Sequence, residues 1–219
     1  ADYSIVQDDH PFFGATLQGE IRELCGVRLV GNATDSRVKR RLKMCLPWIL
    51  RQRGYDTEAL HGNGGNIYSR NAIYPAMGFK RYWFYGDLRR ANPDIRPCSG
   101  ILFDGACDVE VYKKAVSLFD GRKRFVHVMS LDSHLPVPDS MRNECDVRFS
   151  EDRNLCRYAF LIERSLGSLG MLVKEANNKP DIIYIYGDHA PPFRYQNSRD
   201  VFSRKDIPFL VLTRRLSSR

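Results

Sequence analysis

Apolar residues return at three- and four-residue steps between Arg153 and Ala176, at Leu155, Ala159, Ile162, Leu166, Leu169 and Val173. A helix of 3.6 residues per turn gathers such positions on one face, so the spacing predicts a long amphipathic helix. The segment "NNKPD" breaks it, and the run "IIYIY" (Ile182 to Tyr186) predicts a buried strand. A second strand is expected over Phe125 to Leu131, after a helix over Val109 to Phe119 that Asp108 is placed to cap. Pro208 to Leu212 predicts a third strand, and Tyr55 to Leu60 a weaker fourth. A short helix lies between Pro47 and Gly54, with proline at the start and glycine past the end. Near the N-terminus Gly14-Ala15-Thr16 leads into an amphipathic helix with Leu17, Ile21 and Leu24 on one face. The segment from Gly86 to Cys107, bounded by turn residues and holding two cysteines, is expected to form a long stapled loop. Strands alternating with helices predict an α/β fold with a largely parallel central sheet flanked by helices.

Length and composition leave that picture intact. The chain has 219 residues, 43% of them hydrophobic, which suffices for one sizeable core. Mean hydropathy is −0.41, and no apolar run approaches the roughly 20 residues of a membrane helix. The first residues, "ADYSIVQDDH", lack the basic start and apolar stretch of a signal peptide. Charge adds a partner class: a formal net charge of +8 points to an anionic partner. Part of the excess lies in "RVKRRLK" (Arg37 to Lys43) and part in the tail, either of which serves equally as a solvated face. No RNP-like aromatic motif, zinc-finger spacing or KH loop accompanies it, so nucleic acid is not expected as a partner. Phosphate chemistry or an anionic membrane surface stays open. Six cysteines without a CxxC pair argue against a zinc ribbon or a redox motif. Cys98/Cys107 and Cys145/Cys156 are spaced for local loops, with Cys25 and Cys45 remaining, although spacing alone leaves the connectivity open. The count favours an oxidising, extracytoplasmic compartment.

Candidate chemistry gathers where the predicted strands end. His61 follows Tyr55–Leu60, His134 follows Phe125–Leu131, and Asp188-His189 follows Ile182–Tyr186. Ligands of open α/β sheets bind outside the carboxyl ends of their strands, so these side chains are expected on one edge. The stretch "CLPWI" (Cys45 to Ile49) nearly matches the signature that yields a formylglycine nucleophile in sulfatases. Its fifth residue is isoleucine rather than arginine, and Pro47 opens a helix, so that nucleophile is rejected. Thr16 is the better candidate, because a helix N-terminus favours an anion beside its hydroxyl. An N-cap is the plain alternative for the same residue.

Four segments, "GATLQGEIRELCG", "LHGNGGNIYSRNAIYPAMGF", "SLDSHLPV" and "IIYIYGDHAPPF", carry a specific resemblance. Their order and spacing resemble the sulfatase-like branch of the alkaline phosphatase superfamily. Within it the chain is most similar to lipoteichoic acid synthases, phosphoglycerol transferases and phosphoethanolamine transferases, from about Phe13 to Thr213. The resemblance implies an alkaline phosphatase-like fold, with Thr16 as nucleophile taking a phospho-group covalently. It implies Thr16, Asp188 and His189 as ligands of one divalent ion: manganese, magnesium or zinc, with manganese preferred for this donor set. His61 would lie near the phosphate, Tyr68 and Arg70 would contact the donor headgroup and phosphate, and His134 would serve the leaving or attacking oxygen.

One departure matters. Family members carry another acidic metal ligand on a strand well upstream of the threonine, whereas fifteen residues precede Thr16 and none has the pattern of such a strand. Asp8, Asp9 and His10 are polar neighbours without a placing motif. The expectation is a single catalytic domain over 1–219 that lacks an N-terminal strand and the membrane anchor of its parent. A degenerate member with a weakened metal site is the alternative. The expected function is transfer of a phosphoglycerol or phosphoethanolamine unit from a phospholipid donor to an envelope glycan or lipid acceptor. Alternatives are a phosphodiesterase or phosphatase of the same superfamily, or a non-catalytic relative that binds anionic glycan or lipid headgroups.

Overall fold

The computed structural model describes residues 2–28, 42–98, 105–136, 152–194 and 196–215. Residues 37–41 of the basic run, the last residues of the tail and Cys145 lie outside them. The predicted alternation produces a parallel three-stranded sheet in which β2 (Asp56–His61) lies between β3 (Arg81–Trp83) and β4 (Arg124–Met129). Registers run from Glu58 opposite Arg81 and from Asp56 opposite Arg124 to His61 opposite Met129. Strand β2 is buried from Thr57 to His61, as expected of a central parallel strand covered on both faces. Its buried acidic side chain, Glu58, is matched by Arg81, Arg124 and the Trp83 indole at 2.6, 2.8 and 2.8 Å.

The second sheet is antiparallel, in the order β1 (Tyr3–Pro11), β6 (Asp206–Arg214), β5 (Ile182–Tyr186). The connection from β5 to β6 carries only the five-residue helix α7 (Gln196–Asp200), with no helix to lay across the sheet. Strand β6 therefore returns antiparallel beside β5. The absence of a strand before Thr16 is corrected here, because β1 pairs with β6 from Tyr3 opposite Arg214 to Pro11 opposite Asp206. Most of its residues are exposed, so an edge strand of this kind leaves no alternating pattern to read. Strand β6 separates it from β5, which keeps Asp8 and Asp9 off the strand that leads into Asp188.

The helices follow their apolar stripes. Helix α1 (Thr16–Cys25) buries Leu17, Ile21 and Leu24 in a cluster with Tyr74, Met77, Phe79 and Phe84. Helix α2 (Leu46–Gln52) has Pro47 in its first turn, as expected. Helix α3 (Arg70–Met77) ends at Gly78, whose φ of 98° suits glycine alone. Helix α4 (Tyr85–Ala91) occupies the start of the expected Gly86–Cys107 loop, which is corrected to that extent. Helix α5 (Asp108–Ser117) begins at Asp108 with Cys107 before it, so Asp108 is not its cap. Helix α6 (Arg153–Glu175) is capped by Asp152, which accepts from the amides of Asn154 and Leu155. Disulfides join Cys25 to Cys45 and Cys98 to Cys107. Cys45 is therefore closed to any conversion into a nucleophile.

Strands β4 and β5 each have one edge without a partner among the described residues. Between the sheets runs a groove of about 1480 Å³, lined by β4, β5 and the inward face of α6.

The Cys25–Cys45 bridge closes a span of 20 residues. Replacing both cysteines by alanine is expected to cost about 3 kcal/mol in chemical denaturation, the closure entropy of that loop.

Candidate active site

The glycine at position 14, at φ 82°, turns the chain into α1, and Ala15 rather than Thr16 occupies the cap position. Thr16 is the first helical residue, so its hydroxyl is not spent on capping. It stands 3.2 Å from Nε2 of His189, across 173 residues of sequence. One turn further, Gly19 lets the helix lie directly on the turn after β5. A Cβ there would sit 2.6 Å from the Asp188 carbonyl oxygen.

The ring of His189 has a defined tautomer. Its Nδ1 is 2.8 Å from the Ala190 carbonyl, which can only accept, so Nδ1 carries the proton and Nε2 a lone pair. Asp188 takes the His189 amide on Oδ1 at 2.9 Å and turns Oδ2 to within 3.4 Å of Nε2. Two acceptors thus face each other beside the Thr16 hydroxyl, an arrangement that a cation between them would resolve. Ligand atoms sharing one ion stand about 3 Å apart in octahedral and about 3.4 Å apart in tetrahedral coordination. The spacings of 3.2 and 3.4 Å fit either.

A second cluster lies one helical turn deeper. Glu20, on the same face of α1 as Thr16, is fully buried and accepts from Arg70 Nε at 3.1 Å, Tyr74 Oη at 2.6 Å and His127 Nε2 at 3.1 Å. Burial alone would raise its carboxyl; the His127 hydrogen bond and the Arg70 charge outweigh it and bring it down to about 2. Arg70 is 1% exposed and places Nη1 3.5 Å from Nε2 of His61. Burial first, and then Arg70, lower His61 to about 4, so it is neutral at pH 7. Its Nδ1 donates to the Met129 carbonyl at 3.1 Å, which leaves Nε2 as an acceptor. Tyr68 lies over the Arg70 guanidinium at 5.2 Å and is 48% exposed. Tyr68 and Ser69 hold φ of 53° and 54°, a left-handed backbone that costs each roughly 1–2 kcal/mol.

His134 follows β4 on a loop fixed from beneath. Its Nδ1 is 2.5 Å from the Leu135 carbonyl, which assigns the proton to that nitrogen. Below it, Asp108 accepts from the amides of Leu131 and Asp132 at 2.7 and 3.2 Å and from the Ser165 hydroxyl at 3.0 Å. Asp132 returns the contact by accepting the Asp108 amide at 3.1 Å. Burial, then the Asp132 charge, push Asp108 up to about 7.

With the geometry in hand, the comparisons decide the family. The profile of the Sulfatase family matches residues 15–213. The chain belongs to the sulfatase family. A protein of Rhizobium meliloti (strain 1021), named for cyclic β-1,2-glucan modification, is 25% identical over 155 residues, 67% of this chain and 23% of its own length. Among solved structures, the lipoteichoic acid synthase LtaP of Listeria monocytogenes superposes with a TM-score of 0.69 at 16% identity, covering 95% of this chain and 56% of that one. The phosphoglycerol transferase GacH of Streptococcus pyogenes, solved with sn-glycerol-1-phosphate, gives 0.66 at 16% identity, covering 95% and 57%. The periplasmic domain of EptC from Escherichia coli, solved with zinc, gives 0.56 at 16% identity, covering 91% and 59%. At these identities the structures establish the alkaline phosphatase-like fold. The chain spans little more than half of each of them and about a quarter of the Rhizobium protein.

In this sulfatase-family chain all seven expected site residues, Thr16, His61, Tyr68, Arg70, His134, Asp188 and His189, line the one groove. Thr16, Asp188 and His189 meet directly, whereas His61, Tyr68 and Arg70 form the second cluster. From sequence alone, no part in the site is expected of Gly19, Glu20, His127, Asp108 or Asp132. Cys98, Cys107 and Asp132 also come together, but the two sulfurs are bonded to each other and are not ligands.

Replacing Gly19 by alanine must push the Asp188 turn away from Thr16. Manganese or zinc affinity measured by calorimetry is expected to fall roughly tenfold or more, with the helix content unchanged. The raised Asp108 carboxyl stabilises the fold below about pH 4, and that contribution is lost as pH rises towards 7. Urea melts should therefore give wild type a falling stability across that window relative to Asp108→Asn, whose profile is flatter.

Proposed function

We propose that this sulfatase-family chain forms the core of a metal-dependent phosphotransferase that moves a phosphoglycerol or phosphoethanolamine unit from a phospholipid to an envelope glycan or lipid. The observation that carries the reading is the meeting of Thr16 Oγ1, His189 Nε2 and Asp188 Oδ2 at 3.2 and 3.4 Å. Binding alone needs no hydroxyl at that point, and a transferase does. A divalent ion held by these three residues would lower the hydroxyl pKa and offset phosphoryl charge. Manganese suits the oxygen-rich set, with magnesium and zinc as alternatives.

In this reading Thr16 Oγ1 attacks phosphorus and the bond from phosphorus to the leaving lipid oxygen breaks. His134 accepts the threonine proton and hands it to that oxygen. In the second half an acceptor hydroxyl gives its proton to His134 and attacks the phosphothreonine; the bond from phosphorus to Thr16 Oγ1 breaks, and His134 returns the proton to that oxygen. Arg70 supplies donors to the phosphoryl oxygens and Tyr68 an exposed face to the headgroup. His61 is neutral, so it contributes an acceptor rather than charge. Arg70 is already balanced by Glu20, and the residues expected around the phosphate therefore bring little net positive charge of their own. That favours a singly charged phosphodiester over a doubly charged monoester, and so a diester transferase or diesterase over a phosphatase.

A fourth ligand, acidic in character, would fit on an extended segment in the groove between β4 and β5, whose facing edges have no partner among the described residues. Disulfides and the basic surface support an extracytoplasmic setting beside anionic lipid, on a parent anchored to the membrane.

Metal content and divalent-ion titrations of wild type and of the Asp188→Ala, His189→Ala double variant provide the test. Stoichiometric metal in wild type, lost in the variant, is the expected result. Thr16→Ala should then retain metal and release no diacylglycerol from phosphatidylglycerol or phosphatidylethanolamine. No binding at millimolar manganese, zinc or magnesium would overturn the metal centre.

A further inference from the structure

Glu20 is the buried charge that the steps above do not use. Its carboxylate is out of water and holds three donors, from Arg70, Tyr74 and His127. Both side chains of the Arg70–Glu20 pair are at most 1% exposed. A pair so placed adds little net stability over apolar residues of the same volume, so stability does not account for it. The guanidinium supplies a second clue. Nε is taken by Glu20, Nη1 faces His61, and Nη2 is buried with no hydrogen bond in the structure. A buried cationic N–H without an acceptor is costly unless a ligand brings one. Arg70 also lines the groove that holds Thr16.

We infer that Glu20 is a positioning residue: it clamps Arg70 through Nε and thereby presents Nη2 to a phosphoryl oxygen of the substrate. The clamp fixes the guanidinium plane before any phosphate arrives. Because Glu20 lies four residues after Thr16 on one face of α1, a single turn of about 5.4 Å sets the offset between nucleophile and phosphate anchor. The inference rests on the proposed phosphate chemistry and assigns an acidic residue to it.

Inorganic phosphate is the probe, titrated by calorimetry into wild type, Glu20→Gln, Arg70→Met and the double variant. Each single change is expected to weaken phosphate roughly tenfold, the loss of one charged hydrogen bond. The double variant should bind no worse than Arg70→Met alone, because Glu20 acts through Arg70. Tyr74→Phe, which removes one donor and leaves the clamp, should stay within about twofold of wild type. In the wild type, the Arg70 Nε–H resonance should remain slow to exchange with and without phosphate.

Glu20→Gln binding like wild type while Arg70→Met is weakened would overturn the clamp and leave the proposed phosphate site standing. So would additive losses in the double variant, or a fast-exchanging Arg70 Nε–H should Glu20→Gln fail to fold. Wild type that binds no phosphate, or an Arg70→Met variant equal to wild type, would remove the phosphate site and the clamp together.

Discussion

The candidate centre depends on how closely α1 can approach the turn after β5. Thr16 and His189 come from distant parts of the chain, and nothing in their own side chains could bring them together. Gly19 does so, since its missing Cβ is what allows the helix backbone to rest against the Asp188 carbonyl. Once that approach is set, three consequences follow from ordinary geometry. The hydroxyl of the first helical residue reaches the imidazole, the Asp188 carboxylate turns its second oxygen inward, and the Ala190 carbonyl fixes the tautomer that leaves a lone pair on Nε2. The same helix is anchored at its other end by the Cys25–Cys45 bridge and along its length by Leu17, Ile21 and Leu24. The position of Thr16 is therefore set by the core and not by a loop.

Buried carboxylates among the described residues follow a common pattern, in which opposite charge or hydrogen-bond donors surround them. Glu58 sits between Arg81 and Arg124, and Glu20 between Arg70, His127 and Tyr74. Asp108 and Asp132 are the contrasting case. Burial pushes both carboxyls up, and for Asp108 the Asp132 charge adds to it. Their reciprocal contacts tie the loop before His134 to the start of α5. On the cationic side, Nη2 of Arg70 is a buried nitrogen without a hydrogen bond, and it belongs to a residue lining the groove.

The sequence disclosed those parts of the fold in which one short segment carries its own signal. The α6 stripe, the β-branched runs of β4, β5 and β6, and the polar residues after β2, β4 and β5 all stand within about one residue to three of their expected places. Thr16 was legible because glycine and a small residue precede an amphipathic run. What escaped was set by contacts between distant segments. Strand β1 is exposed on both faces and is a strand only because β6 offers it an edge. The antiparallel return of β6 depends on a connection too poor in helix to cross the sheet. Glu20, inside "GEIREL", resembles any solvated helix charge until Arg70, Tyr74 and His127 are seen to surround it. Asp108 carries the usual mark of a helix cap, yet its donors come from the loop after β4.

The location of the centre also has a mechanical consequence. Asp188 and His189 end a strand of the antiparallel sheet, whereas α1 packs its apolar face on the core beside the parallel sheet. An ion held by Thr16, Asp188 and His189 would therefore join two layers that, among the described residues, share no backbone ladder between β4 and β5. Binding energy at such a seam is folding energy for the contact between the layers. Metal should accordingly protect the amides of α1 and β5 from exchange more than those of β2, whose ladders on both sides are complete without it. The site and the seam are one structural problem, and the close approach at Gly19 is the chain's own part of the solution.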